Sequence, residues 1–285
     1  MTVLSLSAGR LAVDLAPSAG GSILRFTVDG ADILKPAAAG TVDSGRGNEA
    51  ACYPLVPYSN RIANGRLAFG GRRVEVEPNW PGIRHPMHGD GWSAAWQVEH
   101  ADESTADLLY VHDGRSGWPF RYRARQTFRL TGDALTVAMT IDNREPHAVP
   151  AGLGLHPFFV RDPDTLLTTR ARLVWLADKE VLPVRQAPLP PHWDFANGGS
   201  VEAAAPLDNC FEGWDGRAVV VWPGRRIRLH LEASDLFRCL VIFVPPGKPF
   251  FCVEPVSHPN GQVTRTLLAA GGRRAGHVAF RISTP

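Results

Sequence analysis

The chain is predicted to be all-β, an antiparallel sandwich or barrel, on three observations. Apolar residues alternate with period two in several segments, as they do on a strand with one buried face. Breakers are abundant, with 28 glycines and 24 prolines among 285 residues, and they cut the chain into short pieces. No segment sustains a helical apolar stripe over three turns without a Gly or Pro.

The pieces follow in order. Leu11, Val13 and Leu15 alternate with polar or small neighbours. Gly70-Gly71 separates Arg66-Leu67-Ala68-Phe69 from Arg73-Val74-Glu75-Val76, a hairpin signal. Tyr122, Ala124, Gln126, Phe128 and Leu130 alternate less cleanly, Thr131-Gly132-Asp133 turns the chain, and Leu135, Val137, Met139 and Ile141 resume the pattern. Pro223-Gly224 joins residues 218–222 to the alternating Ile227, Leu229 and Leu231. Cys239–Val244 is continuously apolar, as a strand covered on both faces would be. Residues 163–182 are expected to hold a short turn of helix, and the Pro-rich residues 183–191 a long surface loop. With no linker, low-complexity tract or internal repeat, residues 1–285 read as a single domain.

Composition narrows the function. With 30 basic and 28 acidic residues the net charge is +2, and no basic stripe or aromatic-basic repeat suggests a nucleic-acid partner. No apolar run approaches a membrane span, and the N-terminal residues lack the pattern of a signal peptide. Cys52, Cys210, Cys239 and Cys252 have no CxxC spacing and read as reduced, buried thiols. A soluble, cytoplasmic protein is the expectation; the oligomeric state stays open.

Two stretches point to chemistry. Gly152-Leu153-Gly154-Leu155-His156-Pro157-Phe158-Phe159 and Phe251-Cys252-Val253-Glu254-Pro255 each set one titratable side chain in an apolar, strand-like run that stops at a proline. A lone histidine on such a strand is ordinarily a satisfied core residue. A carboxylate there is costly unless paired or used, so an arginine partner or a catalytic role would both explain Glu254. Brought together, the imidazole of His156 and the carboxyl of Glu254 make a general acid/base pair. Tyr53-Pro54-Leu55-Val56-Pro57-Tyr58-Ser59-Asn60-Arg61 ends on two groups suited to binding hydroxyls, or on a surface turn. His85-Pro86-Met87-His88-Gly89-Asp90-Gly91-Trp92 is a loop of the kind that carries binding residues. Its Trp92, or Trp96 beyond it, could stack on a sugar or serve the core. Asp208, in Leu207-Asp208-Asn209-Cys210, could accept vicinal sugar hydroxyls or simply shape a turn.

A metal is not expected. His85 and His88 at i and i+3 of a strand face opposite ways, and a third ligand would have to be recruited from His156, Glu254 or His258. Nucleotide-binding glycine motifs are absent, so no cofactor is expected.

Taken in order, Asn60-Arg61-Ile62, His88-Gly89, Gly154-Leu155-His156-Pro157-Phe158-Phe159, Leu207-Asp208-Asn209 and Glu254-Pro255 resemble the aldose 1-epimerase (galactose mutarotase) family, over most of the chain. The resemblance implies a large antiparallel β-sandwich of the galactose-mutarotase type, a supersandwich, with an open sugar cleft. It implies Glu254 as general base, His156 as general acid, and Arg61, His88, Asp208 and Asn60 as contacts to a monosaccharide. The chain is shorter than a typical galactose mutarotase and reads His-Gly-Asp where His-Gly-Gly is usual. The implied reaction interconverts α and β anomers of a free aldohexose. It needs Glu254 ionised and His156 protonated, the order of their unperturbed pKa values. A hexose-6-phosphate 1-epimerase using Arg72-Arg73 or Arg225-Arg226, a sugar sensor without catalysis, and a cupin-like metalloenzyme are the alternatives.

Overall fold

Two antiparallel sheets carry most of the regular structure in the computed structural model, which describes residues 2–80, 82–115 and 117–283. The larger has eleven strands. From Leu4–Ala8 it runs through Leu11–Ala16, Ser22–Val28, Cys52–Leu55, Gly154–Val160, Phe250–Val256, Cys239–Val244, Leu207–Glu212 and Leu173–Ala177 to Pro183–Ala187, with the two-residue strand Ala31–Asp32 paired to Ser22–Val28. The other has nine strands, with the long Arg273–Ser283 and Ala134–Asn143 at its centre.

The sheets pack face to face. The alternating residues supply the core: Leu11, Val13 and Leu15 from one sheet, and Phe128, Val137, Met139 and Leu229 from the other, are all buried in one cluster. Aromatic rings bridge the sheets, with Phe280 lying 6.4 Å from Phe26 and 6.2 Å from Phe159 between ring centroids. Gln126, the polar member of its alternating set, is also buried and donates from Nε2 to the Gly21 carbonyl at 3.1 Å. The hairpins at Gly70-Gly71 and Pro223-Gly224 form with the expected partners, Arg66–Phe69 with Arg72–Glu75 and Arg217–Trp222 with Ile227–Ala233.

The outer face of the larger sheet is not left to water, and the site is built there. Tyr53, Leu55, Cys210, Cys239, Val241 and Val256 form a second apolar cluster with Trp92 from a covering loop. Cys239–Val244 is therefore packed from both sides, which explains its unbroken apolar run.

Two expectations are corrected. Residues 163–182 hold no helix; they form the strands Leu166–Thr169 and Leu173–Ala177. Thr168, Thr169 and Val174 are β-branched, and pairing with Arg217–Trp222 and Leu207–Glu212 decides the matter. Residues 183–191 are not wholly loop, because Pro183–Ala187 forms the edge strand of the larger sheet. Pro183 begins that strand and Pro188 follows it, positions where a missing N–H is tolerated. Among the described residues no helix is long and apolar enough to cross a membrane.

The covering loops are stapled rather than merely laid on the sheet. Asn60 and His88 both adopt left-handed backbone, at φ 57° and 65°. They bind each other reciprocally: Asn60 N–H donates to His88 Nδ1 at 3.1 Å, and His88 N–H to the Asn60 carbonyl at 3.0 Å. Asn79 grips the same turn, accepting from Met87 N–H at 2.7 Å and donating to the Met87 and Gly89 carbonyls. Asp90 anchors it to the smaller sheet by accepting from Tyr110 Oη at 2.9 Å and Tyr122 Oη at 2.5 Å, with His112 Nδ1 at 2.6 Å. Burial opposes a charge on His112, but Asp90 outweighs it and raises the imidazole pKa. The aspartate in His-Gly-Asp is thus an anchor for the loop.

Gly89, at φ 71°, lies against Val56, and a Cβ there would come within 2.1 Å of the Val56 carbonyl oxygen. Gly89→Ala is expected to lower the free energy of unfolding by at least about 2 kcal/mol, combining left-handed strain with a backbone clash. Urea denaturation followed by tryptophan fluorescence checks this.

Candidate active site

Register brings the chemistry together. On the outer face, cross-strand partners make one row from Asp208 through Phe243 and Cys252 to Phe158, given by the pairs Asp208–Phe243, Phe243–Cys252 and Phe158–Cys252. The next row holds Cys210, Val241 and Glu254 on one side and His156 and Tyr53 on the other, from the pairs Cys210–Val241, Val241–Glu254 and His156–Tyr53. His156 and Glu254 meet where the second row closes, with Nε2 3.2 Å from Oε1. The His156 ring stacks on Tyr53 and on Phe158, each at 4.6 Å between centroids.

A cavity of about 310 Å³ opens over these rows. All six residues singled out in the sequence line it: Asn60, Arg61, His88, His156, Asp208 and Glu254. Asn60, Arg61 and His88 come from the covering loops and the other three from the sheet, so the cavity lies between a rigid floor and stapled walls.

Burial sets the electrostatics. It pushes the pKa of His156 down to about 3. It also pushes that of Glu254 well above the usual carboxylate value; repulsion from Asp208 adds to this and Arg61 opposes it. Asp208 is raised too, by burial against the pull of Arg61. Burial thus opposes both charges of the expected pair, an ionised Glu254 beside a protonated His156. Separating charge in an apolar pocket is costly, so the surroundings favour the neutral form of each group. His88 is neutral, held well below its usual pKa by burial and by repulsion from His156 and Arg61. Since its Nδ1 accepts from Asn60, its proton is assigned to Nε2.

His85 does not line the cavity. Its Nδ1 accepts from Asn64 N–H at 3.0 Å, and its Nε2 lies 3.8 Å from Glu180 Oε1. The two loop histidines thus face apart, and His88 is the one turned to the cavity. His258 is consumed internally, donating from Nδ1 to the Pro259 carbonyl at 2.8 Å and accepting Ser59 N–H at Nε2. Trp92 and Trp96 belong to the buried structure, their indoles donating to the Gly89 and Gly91 carbonyls at 2.9 Å. The tryptophan on the cavity wall is instead Trp80, braced on Trp92 at 4.8 Å. Its only sequence signal is its place in the turn-forming Asn79-Trp80-Pro81-Gly82. Tyr53, Asn48, Phe158 and Phe243 also line the cavity and were missed, since nothing local separates them from core or loop residues.

Neither arginine doublet reaches the cavity. Arg72 and Arg73 lie on the exposed hairpin, and Arg225 is tied to Asp162 by two bonds of 2.5 and 2.7 Å. A larger cavity of about 620 Å³ lies at the opposite end of the same strands, around Glu212, Cys239 and Arg265. Glu212 there already accepts from Trp175, Gln186 and Arg265. The smaller cavity is the one in which an imidazole and a carboxyl meet, His156 against Glu254.

Comparison with known proteins agrees with this architecture. A family profile described as Aldose 1-epimerase matches residues 2–281. The chain is 35% identical over 279 residues to the uncharacterized protein YphB of Escherichia coli K12, covering 90% of this chain and 89% of that one. A crystal structure of a candidate aldose 1-epimerase from Escherichia coli K12 superposes with a TM-score of 0.92 at 31% identity, covering 100% of this chain and 99% of that one. The fold is shared with the GalM/aldose epimerase homologue of C. elegans, at a TM-score of 0.83 and 16% identity, over 99% of both chains. Matched by the family profile over almost its whole length and more than 30% identical to a relative along nine-tenths of it, the chain belongs to the aldose 1-epimerase family.

Proposed function

We propose that the protein is a cofactor-independent aldose 1-epimerase that interconverts the anomers of a free aldohexose, with His156 and Glu254 as its acid/base pair. The observation that carries this reading is the 3.2 Å separation of His156 Nε2 and Glu254 Oε1 at the floor of the cavity. The anomeric hydroxyl and the ring oxygen share one carbon, so two groups a hydrogen-bond length apart can each reach one of them. Glu254 takes the anomeric proton while His156 protonates the ring oxygen and the C1–O5 bond breaks. The free aldehyde turns about C1–C2, and the same groups act in reverse to close the ring. This needs Glu254 ionised and His156 protonated, against the direction in which burial drives each, so a proton held by the carboxyl first passes to His156. The transfer leaves the proton count and the net charge of the pair unchanged. Arg61, whose charge favours ionised Glu254, and the sugar hydroxyls that donate to the carboxylate promote it. His88 would donate from Nε2 to a sugar oxygen, Asn60 and Asp208 would bind further hydroxyls, and Trp80 would face the apolar side of the ring.

Cavity charge supports a free sugar over a phosphorylated one. Two carboxyl groups and one guanidinium line it, and the arginine doublets lie outside. A pure sugar binder is disfavoured by the cost of burying an imidazole against a carboxyl, which binding alone does not require.

Glu254→Gln and His156→Asn are each expected to slow α/β interconversion of glucose or galactose by about 100-fold or more, with unchanged circular dichroism. Polarimetry of freshly dissolved α-sugar measures this, and an unaltered rate in either folded variant rejects the assignment. Arg61→Ala is expected to raise KM by about tenfold with a smaller change in kcat, as loss of binding to both ground and transition states does. Saturation kinetics by the same method separate the two constants.

Stability carries a matching signature. A carboxyl whose pKa is raised on folding stabilises below its unfolded value and loses that contribution as pH climbs through the folded value. Glu254→Gln removes that loss, so its stability relative to the parent is expected to improve with pH above the ordinary glutamate range, by up to about 1.4 kcal/mol per pH unit. Thermal denaturation of both proteins across a pH series tests the trend.

A further inference from the structure

Beside the pair lies a group that the proposed reaction leaves idle. Cys252 precedes Glu254 by two residues on one strand, so its thiol shares the outer face, opposite Phe158 in register. It is fully buried. One ring nitrogen of His156, one oxygen of Glu254 and the Cys252 sulfur lie within 4.8 Å of one another.

We propose that His156, Glu254 and Cys252 form a binding site for a soft divalent cation of the zinc class, set in the floor of the sugar cavity, so that cation and sugar exclude each other. With Zn–N and Zn–O near 2.0 Å and Zn–S near 2.3 Å, tetrahedral ligand atoms stand about 3.3–3.6 Å apart. The His156–Glu254 edge, at 3.2 Å, is already of that length. The sulfur lies within 4.8 Å of both atoms, so the thiol has to close by about 1 Å to complete the triangle.

A second observation points the same way. His156 Nδ1 is buried without a hydrogen-bond partner. The ring is held by stacking on Tyr53 and Phe158, and no bond to its second nitrogen fixes its orientation.

Charge balance suits a divalent ion. Ligated as carboxylate, thiolate and neutral imidazole, the three groups supply two negative charges, which M²⁺ cancels, so the occupied cluster is buried without net charge. Asp208 favours the cation and Arg61 opposes it, while Lys35 is close enough to Cys252 to support the thiolate. Thiolate and imidazole donors select zinc or cobalt over magnesium or calcium. The fourth position opens toward the cavity, where the anomeric end of the sugar would otherwise sit.

The geometry of the cation site stands by itself; its effect on turnover rests on the acid/base reading above. Cobalt(II) titration of the full-length protein is expected to give one ion per chain and a thiolate-to-cobalt charge-transfer absorption that zinc abolishes and magnesium does not. Cys252→Ala and the near-isosteric Cys252→Ser should both lose this absorption and weaken zinc inhibition by at least tenfold, while metal-free turnover stays within twofold of the parent. Zinc inhibition should be competitive with sugar. No charge-transfer absorption in the parent protein overturns the proposal. So does absorption that persists without Cys252, which would put the thiolate at the neighbouring thiols of Cys210 and Cys239. A Cys252-dependent signal in a protein that turns over no sugar upholds the cation site and overturns the enzymatic reading instead.

Discussion

The burial of His156 against Glu254, 3.2 Å apart, is the constraint around which the site is organised. Both groups are taken out of water here, because the other face of the sheet is core and this face is covered as well. The pair sits in the middle of an eleven-stranded sheet, with strands on both sides to fix its spacing. A rigid floor of this kind holds two groups to within a fraction of an ångström, which a loop does not do unaided.

The walls solve a different problem. Asn60, Arg61 and His88 come from chain segments with little regular structure, and their positions depend on polar staples. Asn79 uses both ends of its amide on one turn, and Asp90 satisfies two tyrosines and a histidine from the opposing sheet. The left-handed residues Asn60 and His88 are held by bonding to each other. This division matches the proposed chemistry: proton transfer demands the stiffer support, and hydroxyl recognition is met by groups that loops can carry.

The same burial sets a third donor beside the pair. An imidazole, a carboxyl and a thiol form a compact donor set of three element types, next to the cavity. The cation site would then be a by-product of how the proposed acid/base pair is kept dry.

Strand-forming residues, hairpin turns and the apolar faces of most strands were legible along the chain, because period-two alternation and Gly or Pro breaks are local properties. The six candidate residues were legible too, because polar groups stand out within apolar runs such as Phe251-Cys252-Val253-Glu254. What local pattern misjudged was settled by pairing: residues 166–177 became strands because neighbouring strands offered them partners, and Pro183–Ala187 became an edge for the same reason. Trp80 took the wall position that Trp92 and Trp96 could have held, because packing behind the loop buried those two. The direction in which the pKa values of His156 and Glu254 shift was beyond the sequence altogether. It depends on how completely both groups are removed from water, and only the packed sheet and its covering loops decide that.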